Sequence, residues 1–217
     1  HHAAVRDAVA ACSEINHFEI FMSKLFTLYS VSPKNRRSLE TCAADLKVEL
    51  LKIGRLLDMR WVASSFRTVR AVWTSYSALF AHFSKVIVSD AANSKEKAQF
   101  KGLADKLSTA TFLLNLALMY GALEELCELS EALQSESITL QRAHRLIARE
   151  VKVFLSRKTE GGEHYLLACR AVREGVFNGV VIVNKVSKTD KEIDRCQFYQ
   201  ALADSISARL MPESERL

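Results

Sequence analysis

The chain has 217 residues, 49% of them apolar, with only 2 prolines and 7 glycines, which suits long helices around one core and argues against a sandwich of turn-separated strands. A net charge of +5 favours polyanions yet falls well short of a bare phosphate-tracking module. No apolar run reads as long enough for a membrane span and no charged leader opens the chain, so a soluble, unsecreted protein is expected, with no membrane partner.

The first apolar face, Phe18, Phe21, Met22, Leu25, Leu28 and Tyr29, repeats at helical spacing and predicts a helix that stops near Ser32-Pro33. Ser32 and Pro33 fit the N-cap and first position of the next helix, with Leu39, Cys42, Ala43 and Leu46 on its buried side. Val48 to Gly54 is less regular and reads as extended. From Ser64 a long helix is predicted toward Val88, carried by Val69, Val72, Trp73, Tyr76, Phe80 and Phe83. Asn93 with Glu96 resembles a capping box and starts another helix. Phe112 to Ser130 is the most hydrophobic stretch and the expected central helix, its far end acidic at Glu124, Glu125, Glu128, Glu131 and Glu136.

Thr139 to Lys158 predicts a helix burying Leu146, Ile147, Val151, Phe154 and Leu155, closed by Gly161-Gly162. A short helix over Tyr165 to Arg173 follows. Val180-Val181-Ile182-Val183, flanked by Gly175 and Gly179, is β-branched and too short for a helix, so it reads as a strand whose partner is unspecified. A last helix is placed from Lys191 to Leu210, ending at Pro212. The predicted fold is therefore all-α, an irregular multi-helix bundle in a single domain over residues 1–217, with at most a short strand near 180–183.

The segment Gly54-Arg55-Leu56-Leu57-Asp58-Met59-Arg60-Trp61-Val62-Ala63-Ser64-Ser65-Phe66-Arg67 resembles the Arg-Trp motif that opens the helical domain inserted into the RNase H-like core of hAT DNA transposases. Asn16-His17-Phe18 with Phe21 to Leu25, Ala71-Val72-Trp73 with His82-Phe83-Ser84, and Phe112-Leu113 with Leu116 to Met119 resemble, in that order, vertebrate hAT-derived proteins, among them one described as an E3 SUMO-protein ligase. The resemblance covers nearly the whole chain. It implies a helical insertion domain of a nuclear protein, also cytoplasmic in some settings, that grips DNA such as a transposon end or hairpin, or serves as an assembly scaffold. It also implies that the metal-binding acidic triad lies outside this stretch. No catalytic residue, metal site or cofactor is therefore assigned here, and magnesium or manganese is expected only with the catalytic core.

By the same resemblance Trp61 stacks on a flipped-out base and Arg60 holds a phosphate; the plain alternative is a Trp packed under the next helix with Arg60 in a salt bridge. Arg67 and Arg70, one turn apart, extend that patch and, together with Lys34, Arg36 and Arg37, form the second choice of DNA-facing surface. Arg142, Arg145, Arg149 and Lys152 line one helical face, which suits phosphates or, equally, pairing with the acidic Glu124 to Glu136 stretch.

Val180, Val181, Ile182 and Val183, with Ser187, Asp190 and Glu192 beyond and Lys185 and Lys188 between, have the shape of a SUMO-interacting strand or of a strand paired in its own fold. Leu46-Lys47-Val48-Glu49 matches a SUMO acceptor pattern that chance produces often. His17, His82, His144 and His164 show no metal-ligand spacing, and Cys12, Cys42, Cys127, Cys169 and Cys196 form no C-x-x-C pair, so reduced, mostly buried thiols are expected. His1-His2 receive no role. The partners left open are DNA, SUMO or its conjugating enzyme, and a second copy of the chain; part of a SUMO ligase and a dimerisation module are the rival functions.

Overall fold

Five helices of this chain begin where a side chain replaces the backbone acceptor the first turn lacks. In the computed structural model, which describes residues 14–54, 62–184 and 191–211, α1 (Glu14–Val31) ends just ahead of Ser32, whose hydroxyl accepts from the Asn35 amide at 3.2 Å. Pro33 then opens α2 (Pro33–Asp45), its missing N–H costing nothing at that position. Asn93 accepts from Glu96 N at 2.8 Å to start α5 (Ser94–Leu107), and Thr109 accepts from Phe112 N at 3.2 Å to start α6 (Ala110–Leu133). Thr139 does the same for Arg142 N at 3.2 Å, opening α7 (Leu140–Glu160). After α8 (Glu163–Glu174) come β1 (Val176–Phe177), β2 (Val180–Val181) and α9 (Arg195–Leu210). Among the described residues 78% are helical and the only sheet is the hairpin β1–β2.

Three boundaries differ from expectation, each for a physical reason. The stretch from Ser64 to Val88 is two helices, α3 (Val62–Thr74) and α4 (Tyr76–Val88), bent at Ser75 with φ −92° and ψ 15°. Hydrogen bonds run into the bend from Ser75 N to Ala71 O and out of it from Leu79 N to Ser75 O, so the apolar period never breaks and leaves no mark in the sequence. The bend lets α3 pack on α6 while α4 packs on α2 and α5. The last helix starts at Arg195 rather than Lys191, because Asp194 accepts from Gln197 N at 2.9 Å. Residues 191 and 193 are held instead by Asn115 of α6, whose Nδ2 donates to the Lys191 carbonyl and whose Oδ1 accepts from Ile193 N. Leu46, expected on the buried side of α2, is its C-cap and lies 46% exposed. The 48–54 segment has neither helix nor strand, as its irregular pattern implies.

α6 has 15 of its 24 residues in the core and is buried all round from Asn115 to Leu123, with Glu128 and Glu131 exposed at its far end, so it is the axle of the fold rather than an amphipathic surface helix. By length and composition alone α6 is apolar enough to cross a membrane, which corrects the sequence reading; 78% of its most apolar window is nevertheless packed inside this protein. Phe112 stacks on Phe18 and meets Phe21 edge-on at 4.7 Å between centroids, seating α1. Trp73 and Tyr76 meet Phe177 at 4.8 and 4.9 Å, seating the hairpin, and the Tyr76 hydroxyl donates to the Leu107 carbonyl. α7 packs most extensively on α9, where Phe154 stacks on Tyr199 at 5.7 Å. Of the predicted core positions, Phe18, Val69, Leu116 and Phe154 are each 2% exposed or less, whereas Leu28, Trp73, Phe80, Leu146 and Leu155 are only half-buried against the core.

The Val180 strand finds its partner two residues upstream. Asn178 and Gly179 have φ of 48° and 79°, the signature of a type I′ turn, which only Asn, Asp and Gly take readily. That Asn-Gly dipeptide was in the sequence and marks the hairpin that the strand reading left without a partner.

Candidate nucleic-acid interface

Arg142, Arg145, Arg149 and Lys152 all lie exposed on α7. At about 100° per residue they occupy roughly 80° of the helix surface, opposite the stripe that buries Ile147, Glu150, Val151 and Phe154. The four cations thus form one row about 15 Å long. The row borders a shallow groove of about 700 Å³ floored by Ala148 and Val153 and continuing past Ser156 to Gly161 and Gly162. Its far end is acidic, with Glu160 and Glu163, while its α7 side is cationic.

Pairing with the acids of α6 would neutralise this row, but Glu124 and Glu125 are turned to other work. Arg157, on the inner side of α7, pairs with Glu125 and donates through Nη1 to the Gly121 carbonyl at 2.8 Å. Glu124 approaches His164 at 3.9 Å, and burial lowers the His164 pKa so that the imidazole is neutral at pH 7 and the contact is no ion pair. None of Arg142, Arg145, Arg149 and Lys152 has a carboxylate partner among the described residues. The C-terminal end of α7 is fixed by Arg195, which donates to the carbonyls of Lys158 and Thr159 at 3.1 and 3.2 Å.

Behind the row lies a buried polar layer that the apolar pattern concealed. Glu150 is 2% exposed; burial first, and then the charge of Glu125, raise its carboxyl to a pKa of about 7, with Arg149 and Arg157 pulling the other way. Oε1 of Glu150 and Oε2 of Glu125 are buried without a hydrogen-bond partner. Glu150 falls on the same helical face as Ile147, Val151 and Phe154, so plotting all residue types, and not only apolar ones, on the helix face reveals it.

The other proposed contact residues are dispersed. Arg60 and Trp61 lie outside the described residues, as do Ser187, Asp190, Lys185, Lys188, Pro212 and Cys12. Arg67 and Arg70 are exposed on α3, where their charges act on Cys127 and Tyr120 of α6. Lys34, Arg36 and Arg37 are exposed on α2, which packs on α1 and α4, and Lys34 approaches Glu96 at 3.9 Å. The three basic sets sit on three different helices, and only the α7 set forms a row.

Val180 to Val183 is engaged within its own chain. β2 pairs with β1 in the register Val176 to Val181 and Phe177 to Val180, Ile182 N donates to the Gly175 carbonyl, and Val183 bridges Thr109 through Val183 N to Ser108 O and Ala110 N to Val183 O. Val180 and Ile182 are buried and only Val181 projects, 65% exposed. Lys47 is exposed in a left-handed turn residue, φ 55°, just after α2. Cys42 and Cys127 are buried, with burial raising both thiols, but Cys196 is exposed, against expectation; all four described cysteines, Cys169 included, are free thiols. Among the described residues no group of three or more His, Cys, Asp or Glu converges on a metal position.

Fold and face together define a class: an all-α scaffold that turns to solvent a row of cations with no ion-pair partner among the described residues. No protein-family model and no solved structure matches this chain.

Proposed function

We propose that this chain is the helical insertion domain of an hAT transposase-derived nuclear protein and that it binds nucleic acid through the basic row of α7. Two independent lines support the reading. The Arg-Trp segment and the three further blocks resemble that family in order along the sequence, and the arrangement of helices around a buried α6 suits a scaffold. The observation that carries the binding claim is the row Arg142, Arg145, Arg149 and Lys152, solvent-facing and without carboxylate partners among the described residues. Four cations over about 15 Å face a length of duplex along which one strand presents roughly four phosphates, at about 3.4 Å each. Such a row neutralises phosphates without reading bases, which gives binding and positioning rather than sequence specificity.

The experiment is a mobility-shift comparison of hairpin, linear duplex and single-stranded DNA with the wild-type chain and with Arg145→Gln, Arg149→Gln, Lys152→Gln combined. The reading predicts a shift with wild type that the triple variant weakens on every DNA. Equal shifts for both proteins would move the interface elsewhere, with Arg67 and Arg70 the next surface to test.

A further inference from the structure

α1 packs on α2 and α6 while α5 packs on α4 and α6, and a groove of about 500 Å³ runs between α1 and α5. Its floor is apolar. Phe21 and Leu103 are buried at its base, and Ile20 stands 53% exposed on the α1 wall, where covering it would add to the apolar surface withdrawn from water. That wall continues past Ser23 to Thr27 and Leu28 along a hollow of about 810 Å³, which shares Ile20, Lys24 and Gln99 with the groove. From Asn16 to Thr27 the helix advances about 17 Å, the length of three helical turns. The α5 wall is low: Ala98 and Gly102 lie one turn apart, and a Cβ on Gly102 would meet no heavy atom within 4 Å. Small residues at a contact let a second helix axis approach closely.

Charge narrows the choice of occupant. Lys24 from α1 and Lys106 from α5 line the groove, Lys101 is exposed beside Gly102, and no Asp or Glu lines the groove among the described residues. In the adjoining hollow the one carboxylate is Glu19. A second copy docked through the same face would set these lysines against their own counterparts, which like-charge repulsion disfavours. A nucleic-acid strand would answer the lysines through its phosphates and leave Ile20 and the apolar floor unsatisfied.

We propose that the α1–α5 groove docks an amphipathic helix of a partner protein, its apolar face on Ile20, Phe21 and Leu103 and its flanking carboxylates on Lys24 and Lys106. The groove shares no residue with the α7 row, so this docking and the nucleic-acid reading stand or fall separately.

The test is selection of a phage-displayed library of random peptides, about fifteen residues long so that three turns or more can form, on the full chain. Binders are counter-selected against Gly102→Leu. That substitution sends a side chain into open space on the α5 wall and favours the helix over glycine, so it fills the groove and keeps the fold, which its amide spectrum verifies. The proposal expects the discriminating peptides to carry apolar residues at i, i+3 or i+4, and i+7, with Asp or Glu flanking them. A synthetic copy of the leading peptide, followed by fluorescence anisotropy, is expected to bind Gly102→Leu and Ile20→Gln about tenfold more weakly than wild type. Lys24→Glu is expected to weaken it too, and a copy with Lys in place of its acids is expected to prefer Lys24→Glu over wild type. A library that yields no peptide distinguishing wild type from Gly102→Leu, or yields only basic ones, overturns the proposal. So does self-association of the chain that Gly102→Leu abolishes, since a second copy then fills the groove.

Discussion

Arg157 donates through Nη1 to the carbonyl of Gly121, 2.8 Å away across the α6–α7 interface, where no side chain at Gly121 crowds it. A Cβ there would stand 3.1 Å from that same nitrogen. The guanidinium also pairs with Glu125 at a place where both side chains are less than a fifth exposed, 17% and 13%. The contact thereby ties the helix that carries the basic row to the core helix.

Removing Arg157 strands that network. Arg157→Ala leaves Glu125 buried and unpaired beside Glu150, and losing one member of a buried pair costs about 3 kcal/mol. Urea denaturation at pH 7 is expected to show a loss of that size. Gly121→Ala only pushes the end of a long side chain by a few tenths of an ångström and is expected to cost less.

Glu150 makes stability depend on pH in a defined direction. Its folded pKa of about 7 lies above the ordinary 4.5, so the folded chain binds the proton more tightly than the unfolded one. This contribution is fully present below about pH 4.5 and is lost as the pH climbs through 7. Glu150→Gln removes the titration. Denaturation midpoints measured from pH 5 to pH 9 are expected to fall for wild type across that window and to stay flatter for the variant. The variant should gain on the order of 2 kcal/mol at pH 8 and nothing comparable at pH 5.

Asn115 is the clasp for the chain entering α9, using both ends of its amide on Lys191 and Ile193. Asn115→Ala leaves the buried Ile193 N–H without an acceptor, a cost of about 1–3 kcal/mol. Hydrogen exchange at Ile193 provides the local readout, and acceleration there beyond the change in global stability is the expected result.

Much of this architecture is written in local patterns. Ser32-Pro33, Asn93 with Glu96, and Thr139 are caps whose chemistry acts within one turn, and each starts a helix where the sequence places it. The bend at Ser75 is invisible because it arises from two halves choosing different tertiary partners, not from a breaker residue. The delayed start of α9 is hidden likewise, since Asn115 reaches Lys191 and Ile193 from 76 and 78 residues earlier in the chain.

The basic row itself was legible from the spacing of Arg142, Arg145, Arg149 and Lys152. Its lack of neutralising partners was not, because that depends on Arg157 claiming Glu125 across the interface.

The most direct measurement of the nucleic-acid claim is the salt dependence of duplex DNA affinity, by fluorescence anisotropy, for wild type and for Arg142→Gln, Arg145→Gln, Arg149→Gln and Lys152→Gln singly. If the four α7 cations each neutralise one phosphate, the plot of log affinity against log salt has a slope of about −3.6, and each substitution makes it shallower by roughly 0.9. A slope near zero, or one that none of the four substitutions changes, would contradict the assignment of the α7 row as the nucleic-acid face.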